Sequence, residues 1–212
     1  MMKSLIITGT DTGVGKTVVA AMLTLGLDGV YYKPTQSGTE DGTDRDTIQN
    51  LTGLDDERIL ENGITLSQPL SPHRAAELDG VEIDLNALTP PPQTGRPLII
   101  EGAGGLMVPV NRDILFIDLF ARWQHPVVLV GRTGLGTINH TLLSLEALRH
   151  RNIDVLGVVF VGDENADTIR TIADMGRVKV LGRVPLMDDM TAARLTHIFE
   201  THFCRADFEG DA

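Results

Sequence analysis

The sequence predicts an α/β protein, a doubly wound, mostly parallel sheet with helices on both faces, organised as a P-loop nucleotide-binding fold. Three observations predict it. Continuous apolar runs of strand length alternate with helix-period segments along the whole chain. Apolar residues make up 42% of the 212 residues while aromatics make up only 4%, so the core material is mostly Val, Ile, Leu and Ala. A glycine-rich turn ending in Gly15-Lys16-Thr17 joins the first apolar run to the first helical segment. The length suits one domain spanning 1–212 rather than two separate cores.

Strands are expected at 4–8, 30–33, 97–101, 126–130, 155–160 and 178–181. Several are apolar throughout, as parallel strands buried on both faces require. Helices are expected at 16–27, 138–151, 165–175 and 191–203. The first is apolar nearly all round and should be buried. The second places Ile138, Leu142, Leu145 and Leu148 on one side, and Gly176 reads as the residue that ends the third. Residues 34–96 differ, being rich in Gly, Thr, Asp and Pro, with short helical patterns at 47–51, 73–78 and 85–88. Pro90-Pro91-Pro92 forbids a continuing helix there. The segment reads as an elaborated insertion over the ligand-binding edge of the sheet. The polar tail 205–212 is expected to fray.

A net charge of −11 and a pI near 4.9 argue against nucleic acid and against an anionic membrane surface as partners. The lone Cys204 excludes an internal disulfide and reads as a passive thiol. The six histidines lack HxxxH spacing, which argues against a histidine metal site. The apolar run after Met1-Met2-Lys3 is too short for a secretory segment, and no stretch reaches the roughly 18 apolar residues of a membrane span. A cytoplasmic protein is the expectation.

Gly9-Thr10-Asp11-Thr12-Gly13-Val14-Gly15-Lys16-Thr17 sits between the first strand and the first helix. There, backbone amides and the positive end of the helix dipole converge on one anion. Lys16 would reach the β- and γ-phosphates of a nucleoside triphosphate, and the Thr17 hydroxyl would ligate Mg²⁺. Five residues separate Gly9 from Gly15, one more than the usual spacing. Glu101, at the end of a predicted strand, and Asp46, after the second strand, are the acids proposed to complete the magnesium site. The glycines of Gly102-Ala103-Gly104-Gly105 make either a flexible turn or a close approach of backbone to ligand. Lys33 and Ser37 leave the second strand at the same edge. Locally, Lys33 is either a solvated charge or a cation that neutralises a transferring phosphoryl group. Gly131–Gly136 opens a helix and reads either as a plain loop or as a helix N-terminus that holds an anion.

Taken together, these motifs resemble the dethiobiotin synthetase family. The resemblance rests on the phosphate loop, Tyr32-Lys33-Pro34 with Ser37-Gly38, Ser71-Pro72-His73, Glu101–Gly105, Leu135-Gly136-Thr137-Ile138-Asn139-His140 and Gly182-Arg183-Val184-Pro185, in family order. The long phosphate loop is that family's own spacing. The resemblance implies an ATP- and Mg²⁺-dependent cyclo-ligase that closes a ureido ring from 7,8-diaminononanoate and CO₂ through a carbamate and its mixed anhydride with phosphate. It assigns ATP to Gly13, Val14, Gly15, Lys16, Thr17 and Val18, to Asp46, and to Glu101, Gly102, Ala103 and Gly104. Pro185, Leu186 and Met187 would line the adenine pocket. Lys16 and Lys33 are the implied catalytic cations, Thr12 and Ser37 position the carbamate, and Thr17, Asp46 and Glu101 hold Mg²⁺. The family is homodimeric, with the substrate carboxylate bound across the interface near Asn139. Val161 stands where the family commonly has an asparagine that contacts adenine, which leaves the choice of triphosphate open.

Two other readings compete. An amidating ligase of the cobyrinic acid type would need a glutaminase domain with a nucleophilic cysteine, and only Cys204 is present. A partitioning-type ATPase switch carries a second lysine early in the loop, where this chain has Thr10-Asp11-Thr12.

Overall fold

A computed structural model describes residues 4–40, 42–92 and 95–209. The first three residues and the last three of the tail lie outside them. In chain order the elements are β1 (Leu5–Gly9), α1 (Lys16–Gly26), β2 (Val30–Tyr32), β3 (Thr35–Ser37), α2 (Asp44–Thr52), β4 (Ile64–Leu66) and α3 (Pro72–Asp79). They continue with β5 (Leu98–Gly105), α4 (Phe116–Trp123), β6 (Val127–Arg132), α5 (Thr137–His150), β7 (Val155–Val161), α6 (Ala166–Gly176), β8 (Val180–Val184) and α7 (Ala192–His202).

Six strands form one sheet in the order β2-β5-β1-β6-β7-β8, every described pairing parallel. Alternation explains the continuous apolar runs, because successive side chains of one strand enter different cores. Leu5 and Ile7 pack with α1 and α7, together with Ile99, Val128, Val130 and Val159. Ile6 packs on the other face with Ile100, Val127 and the α4 residues Phe116 and Phe120. Leu129, Val158 and Phe160 continue that face beneath α5 and α6. β1 lies between β5 and β6, so the strand order reverses direction around it. Parallel α/β sheets bind ligands at the carboxyl edge of such a point.

Residues 34–96 contribute α2, α3 and a separate two-stranded parallel sheet, β3-β4. The pattern at 85–88 is a turn rather than a helix. Two further expectations are corrected. Gly176 lies inside α6, and the left-handed residue that ends the helix is Arg177 at φ 45°. What Gly176 supplies is room, since a Cβ there would stand 2.8 Å from Leu145 Cδ1. The tail does not fray over its described part. Arg205–Phe208 forms a 3₁₀ turn. Phe208 is 1% exposed and packs on Phe199, and Lys179 Nζ meets Asp207 at 2.6 Å. Burying one phenyl ring stabilises by roughly 1.5–3 kcal/mol, enough to hold a short polar segment in place.

Candidate active site

The turn after β1 depends on two glycines. A Cβ on Gly9 would stand 2.6 Å from Val14 Cγ2, closer than real carbons approach. Gly15 caps α1 at φ 97°, where L side chains are strained, and no side chain among the described residues caps the helix. The first amides of α1 are therefore free to meet a ligand. Val14 turns into the core. Lys16 folds back over the turn, its Nζ donating to Asp11 O at 2.9 Å. Burial pulls the Lys16 pKa down, Glu101 pulls it back and Lys33 lowers it further, with a net lowering.

Beside the turn lies a buried ionic cluster. Glu101, 1% exposed on β5, accepts at Oε1 from Thr17 Oγ1 at 2.9 Å and from Lys33 Nζ at 3.2 Å. Its Oε2 accepts from the Tyr31 hydroxyl at 2.8 Å. Lys33 Nζ lies 2.5 Å from Asp44 Oδ2, and Asp44 Oδ1 stands 3.3 Å from Thr17 Oγ1, the longer of that hydroxyl's two carboxylate contacts. Burial alone would lower the Lys33 pKa, but Glu101 and Asp44 outweigh it and the pKa is raised. Lys33 is thus an ammonium with 2% exposure. Burial, and then the Glu101 charge, push the Tyr31 hydroxyl well above its ordinary value, so it stays protonated and donates.

Asp46 is not in this cluster. It is the third helical residue of α2 and closes a capping box: Thr43 N and Thr43 Oγ1 donate to its Oδ2 at 2.9 and 2.7 Å, and its own amide donates to Thr43 Oγ1. The α2 acid that faces Thr17 is Asp44, at the first helical position. Gln36 Oε1 holds the Asp44 amide at 3.1 Å and so fixes where α2 begins.

A cavity of about 730 Å³ opens over the cluster. The phosphate loop lines it with Thr12, Gly13, Gly15, Lys16, Thr17 and Val18, and Lys33, Ser37, Glu101, Ala103 and Gly104 stand around them. Among the described residues Ser37 Oγ is buried without a hydrogen-bond partner, so that wall of the cavity has polar capacity to spare. Gly102 is outside the wall, and a Cβ on it would lie 3.0 Å from Phe120 Cζ. Asn139 is exposed on the first turn of α5, away from the wall. Pro185, Leu186 and Met187 follow β8, also outside it, with Leu186 exposed and Met187 against the core. A second cavity of about 410 Å³ lies between Thr10–Thr12, residues 105–108 and α5.

A hydroxyl and two carboxylates on one side of a phosphate-binding turn are hard oxygen donors, a set that suits Mg²⁺ and leaves positions for phosphate oxygens and water. The cation-binding set that fits is Thr17, Asp44 and Glu101.

The chain matches the family described as AAA domain over residues 3–194. The cell division ATPase MinD of Pyrococcus furiosus superposes with TM-score 0.53 at 14% identity, covering 94% of this chain and 98% of that one. A ParA family ATPase of Chlorobium tepidum gives 0.51 at 12%, covering 94% and 91%. Such identities show a shared fold only. The sequence relatives are much nearer. An ATP-dependent dethiobiotin synthetase of Bradyrhizobium is 55% identical over 208 residues, 98% of this chain and 99% of its own length. One from Brucella melitensis is 53% identical over 212 residues, the full length of both. The chain belongs to the ATP-dependent dethiobiotin synthetases.

A dethiobiotin synthetase is a ligase, and both rival readings of the sequence give way to it. Sequence reasoning missed four residues of this synthetase's site. Asp44 was recoverable, because Thr43-x-x-Asp46 is a capping-box signature that commits Asp46 to the helix end and leaves Asp44 unassigned. Tyr31 sits in an apolar strand with nothing local to mark its hydroxyl as a partner of Glu101. Gln36 acts on α2 from the small sheet. Arg132, at the end of β6, donates through Nη2 to Gly13 O at 2.6 Å across 119 residues of chain, a pairing that only the fold reveals.

Proposed function

We propose that this synthetase closes the ureido ring of dethiobiotin from 7,8-diaminononanoate, CO₂ and ATP, with Mg²⁺ as the cation. The observation that carries the reading is Lys33, an ammonium buried beside Thr17 and within the cavity that the phosphate loop lines. One amine of the substrate adds to CO₂ to give a carbamate. A carbamate oxygen forms a bond to the γ-phosphorus as the bond to the ADP oxygen breaks, giving a carbamic–phosphoric anhydride. The second amine then attacks the carbonyl carbon, loses its proton, and phosphate leaves with the electron pair of the C–O bond.

Two anions must meet for this, which requires fixed positive charge and oriented donors. Lys16 and the amides of Gly13–Thr17 hold the β- and γ-phosphates. Lys33 spans the γ-phosphate and the carbamate, and Thr12 with the unpaired Ser37 hydroxyl positions the carbamate. Thr17, Asp44 and Glu101 hold Mg²⁺, which when bound neutralises phosphate charge and orients the transferring group. The second cavity suits the aliphatic chain of the substrate. Exposed Met107 and Leu143 border it, with Leu135 fully exposed at the start of α5. A homodimer that covers these residues would bring a second copy's Asn139 and α5 N-terminus toward the substrate carboxylate. The nucleobase would lie near Pro185, Leu186 and Met187, where Val161 offers it no side-chain hydrogen bond. The reaction is that of a cytoplasmic biosynthetic enzyme.

Purified protein given ATP, Mg²⁺ and bicarbonate should release phosphate only when diaminononanoate is present. Equal release without the diamine would instead indicate a nucleotide-driven switch.

A further inference from the structure

The four groups around Thr17 contain one contact that the proposed reaction does not need. Lys33 is bound to the same carboxylates that a divalent cation requires. Its Nζ lies 2.5 Å from Asp44 Oδ2 and 3.2 Å from Glu101 Oε1, and these two acids are also the partners of Thr17 Oγ1. We infer that the Lys33 ammonium occupies the cation site of the nucleotide-free protein and must leave both carboxylates for a divalent ion to bind. The inference rests on the Mg²⁺ assignment made above and deepens it.

The anchoring shows which member moves. Glu101 is held from behind by the Tyr31 hydroxyl at 2.8 Å, and both of these residues are buried. The Asp44 amide is held by Gln36 and its helix is closed by the capping box. Both carboxylates sit on fixed backbone, whereas Lys33 reaches them on a four-carbon stem with free rotors. Nor can Lys33 withdraw without a new partner. At 2% exposure an ammonium stripped of its anions would be buried and unpaired, which is strongly unfavourable. The replacement anion has to enter the cavity, and a phosphate oxygen on the adjoining loop is the available kind. Cation binding and phosphate binding are therefore coupled through Lys33: each makes room for the other. The lysine turns toward the transferring phosphoryl group only once the cation has taken its carboxylates. Free divalent ion then binds poorly, and the cluster stays neutralised until nucleotide arrives.

The test is Mn²⁺ binding to nucleotide-free protein, read from the electron paramagnetic resonance signal of the free ion. Lys33→Met should bind Mn²⁺ about tenfold or more tightly than the parent chain, because a positive charge in direct contact with both ligands has gone. Lys33→Arg, which keeps the charge, should stay weak. Equal affinity in all three proteins overturns the inference while leaving the magnesium site intact. Binding by none of them overturns the site as well. Should Lys33→Met not fold, the parent chain still decides. Reductive methylation of Lys33, followed by mass spectrometry, should be slow without cation and rise at saturating Mg²⁺ with ADP, and methylation unchanged by that addition contradicts the exchange. Neither measurement involves the diamine, so loss of diamine-dependent turnover would refute the proposed reaction without touching this result.

Discussion

Two aspartates two residues apart on α2 should respond in opposite ways to the same change. Asp46→Asn weakens a capping box in which the carboxylate accepts from Thr43 N and Thr43 Oγ1. Losing a helix cap of this kind costs about 1 kcal/mol, which in a chain of this size lowers Tm by roughly 2–4 °C. No cavity contact is lost, so the Mg²⁺ concentration giving half-maximal phosphate release should change by less than about twofold. Asp44→Asn leaves the cap intact but removes a negative charge 2.5 Å from Lys33 Nζ and beside Thr17, and with it an anionic oxygen for the cation. A hydrogen bond to a charged group is worth about 1.5–3 kcal/mol, so the half-maximal Mg²⁺ concentration should rise by roughly 10–100-fold. The assay is initial-rate phosphate release against Mg²⁺ at fixed ATP and diamine, with a thermal melt of each variant. If Asp46→Asn raises the Mg²⁺ requirement and Asp44→Asn does not, the assignment of the cation site is wrong.

Three further outcomes follow from the same structure. Lys33→Ala should keep ADP affinity measured without divalent ion, by calorimetry, within about threefold, yet lose roughly 10²–10³ in kcat, the usual effect of removing a fixed charge from a developing anion; unchanged turnover would clear Lys33 of a catalytic part. His125 is half-buried and burial lowers its pKa below 6.5. As pH falls the unfolded chain takes up the proton first, so stability should rise as pH climbs from the lowered folded pKa toward about 6.5 and level off above it; His125→Gln should flatten that rise in urea melts at pH 5.5 and 7.5, and an identical slope would refute the assignment. Phe208→Ala should lower stability by about 3 kcal/mol or more, as loss of a buried phenyl does; a urea midpoint equal to the parent's would mean that the tail is not docked.

The parallel sheet was legible because its strands are buried on both faces and so read as unbroken apolar runs. β5 continues past Glu101 to Gly105 despite three glycines, rejoining β1 at Gly9–Gly105 after a break in register, a pairing that no side-chain pattern announces. The three-residue strands β3 and β4 carry too few residues for any period to show. α4 was missed although Phe116, Leu119, Phe120 and Trp123 have helical spacing, because eight residues framed by loops offer only two turns of signal. At the site, the phosphate loop and Glu101 could be read locally, since spacing and position at a strand end carry their chemistry. Asp44 follows from the capping box beside it, but Tyr31 and Arg132 could not be read the same way. The partners of Tyr31 and Arg132 lie 70 and 119 residues away in the chain, and contacts at that separation belong to topology.

The central claim is that a carbamate oxygen attacks the γ-phosphate within this cavity. It is tested most directly by supplying ¹⁸O-labelled CO₂ under rapid turnover and weighing the phosphate released. Attack by the carbamate predicts that one labelled oxygen passes into phosphate for each ring closed. Phosphate carrying no label, while dethiobiotin accumulates, would contradict it.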